Sequence, residues 1–308
     1  MRLQDPTLNQ DKQEEIREFS DWVLKLGEGR LRAKAVHEND EDNWIQIPED
    51  LLLKQIGNPI DAIISSTYPD IESMYCIPNY LKDRCILTPT NDCAHEVNTK
   101  ILKRLPHETK KYPSADTISP VSSDVRDQDI LYPTEYLNTL TLSGIPNHML
   151  ELKEGVPIML MRNINPSRGM CNGTRLIVTK LQERIIQAKI ITGSHVGDPV
   201  AIHRILMSST PTKWPFILRR RQFPVKVCFS MTINKSQGQT LQKVGLYLPN
   251  PVFSHGQLYV AASRTTSREG LKILIDKTKK EPEGYTQNVV YQEIFNNLPA
   301  GINAYYLL

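Results

Sequence analysis

None of the chain's 15 glycines is followed by a lysine. The Gly-x-x-x-x-Gly-Lys-Ser/Thr loop that cradles nucleotide phosphates is therefore absent from these 308 residues. No apolar strand ends in an Asp-Glu pair of the kind that holds magnesium. The acidic run Glu38-Asn39-Asp40-Glu41-Asp42 has polar neighbours and reads as a solvated loop. No apolar run approaches the roughly 20 residues of a membrane span. The five cysteines (76, 85, 93, 171 and 228) contain no Cys-x-x-Cys pair, which argues against a zinc site and a disulfide framework and fits a reducing compartment. The seven histidines make no defensible metal spacing, so no bound metal is expected. The start, Met1-Arg2-Leu3-Gln4-Asp5-Pro6, reads as neither a secretory signal nor a transit peptide.

What is present is a soluble, globular composition with an uneven charge. The net charge is only +3, but Gly155 to Asn250 holds 14 Lys and Arg against two acids, Glu183 and Asp198. The remainder holds 23 Lys and Arg against 32 acids. A basic segment of this kind is the footprint of a polyanion partner, or else a set of cations spread over several solvated faces.

Periodicity organises the chain. Ile16, Phe19, Val23 and Leu26 predict a helix over residues 11 to 26, stopped by Gly27 and Gly29. Trp44 to Ile47 is a strand candidate, and Glu49–Gln55 and Asp61–Thr67 read as short helices. Arg84–Thr88 predicts a strand, followed by a helix with Ala94, Val97, Ile101 and Leu105 on one face. Thr90 or Asn91 is placed to cap that helix, which leaves backbone N–H groups at its start as an anion site. Residues 107 to 134 are polar and proline-interrupted and read as a linker or long loop. Val156–Met161, Arg175–Val178 and Arg184–Ile190 read as strands, with Asn172-Gly173 as a turn signal. Val225–Phe229 is expected in the same sheet as Arg84–Thr88, Leu271–Ile275 is a late strand, and a helix is expected near Asn288 to Phe295. Arg219-Arg220-Arg221 reads as an exposed hairpin or as the lining of a DNA channel.

Two stretches carry the chemistry. Phe229 to Thr240 is a strand that breaks into a Gly-centred loop rich in hydroxyls and amides. His255 to Arg264 is an apolar helical stretch with one arginine. Donors on a tight loop followed by a planar cation suit a site for phosphates. Thr232-Ile233-Asn234-Lys235-Ser236-Gln237-Gly238-Gln239-Thr240 resembles motif V of the Pif-type and RecD-like superfamily-one DNA helicases. Gln257-Leu258-Tyr259-Val260-Ala261-Ala262-Ser263-Arg264 resembles their motif VI. Leu87-Thr88-Pro89-Thr90-Asn91 resembles the motif that grips the DNA backbone in these enzymes, or is an ordinary capped strand-to-helix turn. Residues 132 to 178, with Asn172-Gly173-Thr174-Arg175-Leu176, resemble their small β-barrel insert. Met1-Arg2-Leu3-Gln4 and the later Phe19-Ser20-Asp21-Trp22-Val23-Leu24 resemble the start of the second lobe in transposon-borne Helitron helicases.

The resemblance implies an α/β fold: a RecA-like second motor lobe interrupted by a small antiparallel β-barrel. It implies a lobe over residues 1–131, a β-barrel insert with a β-rich extension over 132–206, the rest of the lobe over 207–276 and a tail over 277–308. It implies the C-terminal half of an ATP- and Mg²⁺-dependent helicase that moves 5′ to 3′ on single-stranded DNA. The N-terminal motor lobe is then supplied from elsewhere, and this chain alone holds no cofactor firmly and turns nothing over. The alternative is a non-catalytic, single-strand-binding remnant of a mobile-element helicase. By the same resemblance Arg264 is the arginine finger and Arg2 a second phosphate contact. Gln237, Gly238 and Gln257 face the nucleotide or couple the two sites. Thr88, Thr90, Asn91, Thr232, Lys235 and Ser236 hold the DNA strand. Roles in repair, recombination or telomere maintenance, and a nuclear setting, follow by analogy only.

Overall fold

The computed structural model describes residues 10–35, 43–55, 57–120, 132–209, 216–276 and 282–293. The chain divides into two compact units. The first joins Met1–Ile71, Asn79–Ile101 and Phe229–Leu308, and the second joins Glu72–Pro78 and Leu102–Cys228. Among the described residues no helix is long and apolar enough to cross a membrane.

The first unit is built on a parallel sheet. Strand β3 (Arg84–Thr88) lies between β14 (Ser230–Thr232) and β15 (Lys243–Leu248), and β16 (Leu271–Ile275) completes the order β14-β3-β15-β16. Almost every residue of these strands is buried or half-buried, the pattern of a sheet covered on both faces. Helix α1 (Gln10–Gly27) buries the predicted Phe19, Val23 and Leu26 stripe. Helix α2 (Pro59–Thr67) is capped by Asn58, whose side chain accepts from the Ile60 and Asp61 amides. It packs on β3, β15 and β16. Gly245 in β15 permits that approach, because a Cβ there would strike Thr67 Oγ1 and lie 2.9 Å from the Ile63 side chain. Helix α3 (Asn91–Arg104) follows β3 and buries Ala94, Val97, Ile101 and Leu102. A smaller antiparallel sheet pairs β1 (Ala33–Lys34) with β2 (Trp44–Gln46) and β2 with β17 (Tyr285–Gln287).

The second unit is antiparallel. Its five-stranded sheet runs β10 (Pro199–His203), β9 (Ile185–Ile190), β8 (Arg175–Leu181), β7 (Pro157–Leu160) and β13 (Val225–Val227). A three-stranded sheet runs β11 (Ile205–Ser208), β12 (Phe216–Gln222) and β5 (Ala115–Pro120). Strand β4 (Lys110–Pro113) pairs with β6 (Met149–Leu152). Helix α4 (Thr134–Thr139) packs on β5, and its Leu137 joins Phe216 and Leu218 in a small core.

Five expectations are corrected here. Residues 107 to 134 are not simply a loop: Lys110–Pro113 and Ala115–Pro120 are strands, while 121–131 lie outside the described residues. Glu49–Gln55 is not a helix; Leu53 donates to Ile273 O and Ile273 to Leu51 O, so the segment lies along β16 instead. Val225–Val227 pairs with β7 rather than with the parallel sheet, which the chain enters at Ser230. The helix expected near Asn288 to Phe295 does not start at Asn288: residues 288–291 are in neither helix nor strand, with the Asn288 amide on Asn43 O, Glu293 is helical, and residues from 294 lie outside the described set. The three arginines 219–221 alternate across a strand: Arg219 and Arg221 are exposed and Arg220 is fully buried.

Candidate nucleotide and nucleic-acid site

Parallel α/β sheets bind ligands at the carboxyl ends of their strands, where loops from adjacent strands meet. Here β3 and β14 end side by side, with Thr88 in register with Thr232. Each is followed at once by a polar turn. After β3, the buried Thr88 hydroxyl donates to Thr90 O at 3.0 Å. The Thr90 hydroxyl in turn accepts from the Cys93 amide at 3.4 Å and donates to Cys93 Sγ at 3.1 Å. Thr90 is thus the cap of α3, and Asn91, which begins the helix, is exposed.

After β14 the chain makes a short 3-10 helix, Ile233–Ser236, and then a tight turn. Gln237 has φ −55° and ψ 133°, and Gly238 has φ 79°. The Gln239 amide closes the turn on Ser236 O at 3.0 Å. These angles define a type II turn, whose third position requires a positive φ and so favours glycine. The turn leaves Asn234, Lys235, Gln237 and Gly238 exposed and buries Ser236, whose hydroxyl donates to Ile233 O at 2.6 Å.

Arg264 lies just beyond α5 (Gln257–Ala262) and is half-buried against this turn. One Nη1 donates to both ends of the turn, Ser236 O at 3.4 Å and Gln239 O at 3.3 Å. Nε donates to Val260 O at 2.8 Å and Nη2 to Ser263 Oγ at 2.8 Å. Burial lowers the pKa of this guanidinium, and Tyr259 opposes the shift. The Leu241 amide also donates to Arg264 O at 2.9 Å. Arg264 is therefore a clasp between the loop after β14 and the end of α5. Gln257 makes a second tie: it is buried, its Oε1 accepts from the Phe253 amide and its Nε2 donates to Asn234 Oδ1, both at 3.2 Å.

The predicted residues thus separate by environment. Asn91, Lys235, Gln237 and Gly238 present exposed groups. Thr88, Thr232, Ser236 and Gln257 are buried, and the side chains of Thr88, Ser236 and Gln257 bond within the chain. Thr90 caps α3, Arg264 grips the turn, and Arg2 lies outside the described residues.

Two residues that hold the site together were not singled out from sequence. Asn98 of α3 accepts at Oδ1 from the Phe229 and Ser230 amides, each at 2.9 Å, and donates from Nδ2 to Ser230 O at 2.8 Å. The Tyr68 hydroxyl lies 2.7 Å from Phe229 O and 3.2 Å from Arg84 O. Asn98 had a legible signal. It falls one turn after Ala94, inside the helix's apolar stripe, where a polar side chain must find partners.

Residues 135–181 match the family model for the 2B domain of the DNA helicase Pif1. The chain is 30% identical over 211 residues to the ATP-dependent DNA helicase PIF1 of Xenopus laevis, covering 64% of this chain and 29% of that protein. It is 29% identical over 196 residues to the human ATP-dependent DNA helicase PIF1, covering 61% of this chain and 27% of that protein. The crystal structure of Pif1 helicase from Candida albicans aligns with a TM-score of 0.50 at 20% identity, over 77% of this chain and 55% of that one. That likeness concerns the fold, which in these helicases is RecA-like. The chain spans under a third of the length of the curated relatives it matches. Over the parts they cover, these matches make the chain similar to the Pif-type superfamily-one helicases.

Proposed function

We propose that this chain is the C-terminal portion of an ATP-dependent DNA helicase that moves 5′ to 3′ along single-stranded DNA. The first unit is then the second motor lobe, and the second unit holds the β-barrel-type insert. The observation that carries this reading is the junction of Thr88 and Thr232 at one sheet edge, with Arg264 gripping the loop beside them. The exposed Asn91 and Lys235, with the amides that start α3, are the groups that would meet backbone phosphates, a contact independent of base sequence.

Arg264 is the group of this chain that fits a nucleotide's phosphates, because a guanidinium fork neutralises charge that builds on a transferred phosphoryl group. To point there it must leave the Ser236 and Gln239 carbonyls. In this proposal the phosphate-cradling loop and Mg²⁺ belong to an N-terminal motor lobe that closes on this one, and the curated relatives' names carry the ATP dependence. A Helitron-type origin rests on the Met1–Gln4 and Phe19–Leu24 segments, and a nuclear setting follows from DNA as the partner.

A second reading is a single-strand-binding protein without turnover, favoured by the lack of any glycine-lysine pair. Single-strand-stimulated ATP hydrolysis separates the two. The chain alone is expected to show none, and the chain joined to a lobe with a phosphate loop is expected to hydrolyse ATP. Hydrolysis by the lone chain would overturn the assignment of nucleotide binding to another lobe; no hydrolysis by the joined protein would leave the binding reading standing.

A further inference from the structure

The second unit carries a basic face that the site above does not use. Strand β12 lies in the middle of its three-stranded sheet, and its side chains alternate. Arg220 points inward, fully buried, and is bidentate with Asp116 at 2.6–3.1 Å. Arg219 and Arg221 point the other way and are exposed. The register places Arg219 between Thr117 of β5 and Ser208 of β11, and Arg221 between Ala115 and Leu206. All four neighbours are exposed, and none is acidic.

The sheet's own acid, Asp116, is on the opposite face and committed to Arg220. Among the described residues neither Arg219 nor Arg221 has a carboxylate within ion-pair distance. A third arginine extends the charge. Arg204 is held by Nη1 on Pro113 O at 2.5 Å and packs over the Phe223 ring at 5.0 Å. Burial lowers its pKa, Tyr112 opposes that shift, and the positive charge of Arg221 adds to it. Like charges held together without a counter-ion are a standing electrostatic cost, which an anionic partner relieves.

We infer that the exposed face of β12, through Arg219 and Arg221 with Thr117 and Ser208 beside them, binds the phosphodiester backbone of a nucleic-acid strand. Residues i and i+2 of a strand are about 6.6–6.8 Å apart. That is close to the separation of successive phosphates along one strand, so each guanidinium fork can take one phosphate. Three of the four flanking residues, Ala115, Thr117 and Ser208, are small, which lets an extended polyanion approach Arg219, and the Ser208 hydroxyl supplies a further donor. None of the exposed residues that flank the two arginines is aromatic, so the contact holds the backbone and does not read or stack bases. DNA as partner agrees with the function proposed above, but this face lies in the other unit and rests on its own residues.

The test is the salt dependence of binding of the full chain to a fluorescent oligothymidylate, between about 50 and 200 mM salt. For R219A/R221A the log–log slope is expected to fall by about 1.4, from two lost single-strand phosphate contacts. R219K/R221K should keep the slope while weakening binding, because the charge remains and the fork is lost. Thermal melting should be unchanged in both, since the side chains are exposed. An unchanged slope for R219A/R221A overturns the inference, as does an equal loss of affinity for poly-glutamate and oligothymidylate. N91A/K235A, run in parallel, reports on the first unit. A drop in slope there with none for R219A/R221A would keep the function proposed above and sink this one, and the reverse result would do the opposite. A duplex arm shows whether the same two contacts serve double-stranded DNA; a slope loss in either form supports the inference.

Discussion

Asn98 holds Ser230 by both ends of its amide, Oδ1 on the Ser230 N–H and Nδ2 on the Ser230 C=O, and so fixes where the chain re-enters the parallel sheet. Three buried backbone groups, including the Phe229 N–H, depend on this one side chain. Each buried group left unpaired costs about 1–3 kcal/mol. Asn98→Ala is therefore expected to lower stability by about 3 kcal/mol, read as a lower urea midpoint. A midpoint within error of the parent would show that the amide is not a structural tie.

The buried pair Asp116–Arg220 makes a second demand on stability. Arg220 also donates to Leu137 O, Leu140 O and Pro146 O, tying α4 and the loop after it to β12. Asp116→Ala leaves a buried guanidinium uncompensated and is expected to cost about 3–5 kcal/mol. Arg220→Met should be similarly severe. The double variant should cost less than the sum of the two, because the second change removes the charge that the first left unpaired. Strict additivity in urea melts would contradict the pairing.

Gly238 is strained by any other side chain through its backbone alone, since a Cβ there meets nothing within 4 Å. Gly238→Ala is expected to cost about 1–2 kcal/mol, the penalty of the left-handed region for an L-residue. It should also weaken single-strand binding, because the turn sets the exposed Lys235. Gly238→Asn should lose less. Equal behaviour of alanine and glycine at this position would mean that the type II turn does not persist in solution.

Two tyrosines predict the behaviour at high pH. Burial pushes both Tyr80 and Tyr112 up to about 12, partly opposed by Arg84 and Arg204 respectively. In the unfolded chain both ionise near 10. The folded state keeps the protons while the unfolded state loses them, so this contribution is full below about pH 10 and is lost as pH rises toward about 12. Tyr112→Phe should flatten part of that decline. Tyrosinate absorbance that rises fully near pH 10 while the fold is intact would contradict these environments.

Much of the fold was legible because it is local. The stripe Phe19, Val23 and Leu26 marks α1, Arg84–Thr88 and Leu271–Ile275 read as strands, and Thr90 or Asn91 announces α3. The strands Lys110–Pro113 and Ala115–Pro120 were hidden because prolines and polar residues fill them, and because their partners are remote. Thr117 and Arg219, for example, meet across 102 residues of sequence. Arg220 shows the limit of composition: three consecutive arginines look alike until strand alternation buries the middle one. In the site, the motif residues were visible. Their division into exposed contacts and buried ties such as Ser236 and Gln257 depends on hydrogen bonds that no spacing encodes.

The most direct measurement joins this chain to a motor lobe that carries a phosphate-binding loop and compares Arg264→Ala with its parent. The geometry predicts that single-strand binding persists, weakened no more than by Gly238→Ala, because Asn91 and Lys235 stay exposed although the turn loses its Arg264 clasp. Hydrolysis of ATP should fall by roughly 10³ or more, as expected for a lost arginine finger. Hydrolysis at the parent's rate would contradict the account, leaving Arg264 only as the clasp that holds Ser236 and Gln239.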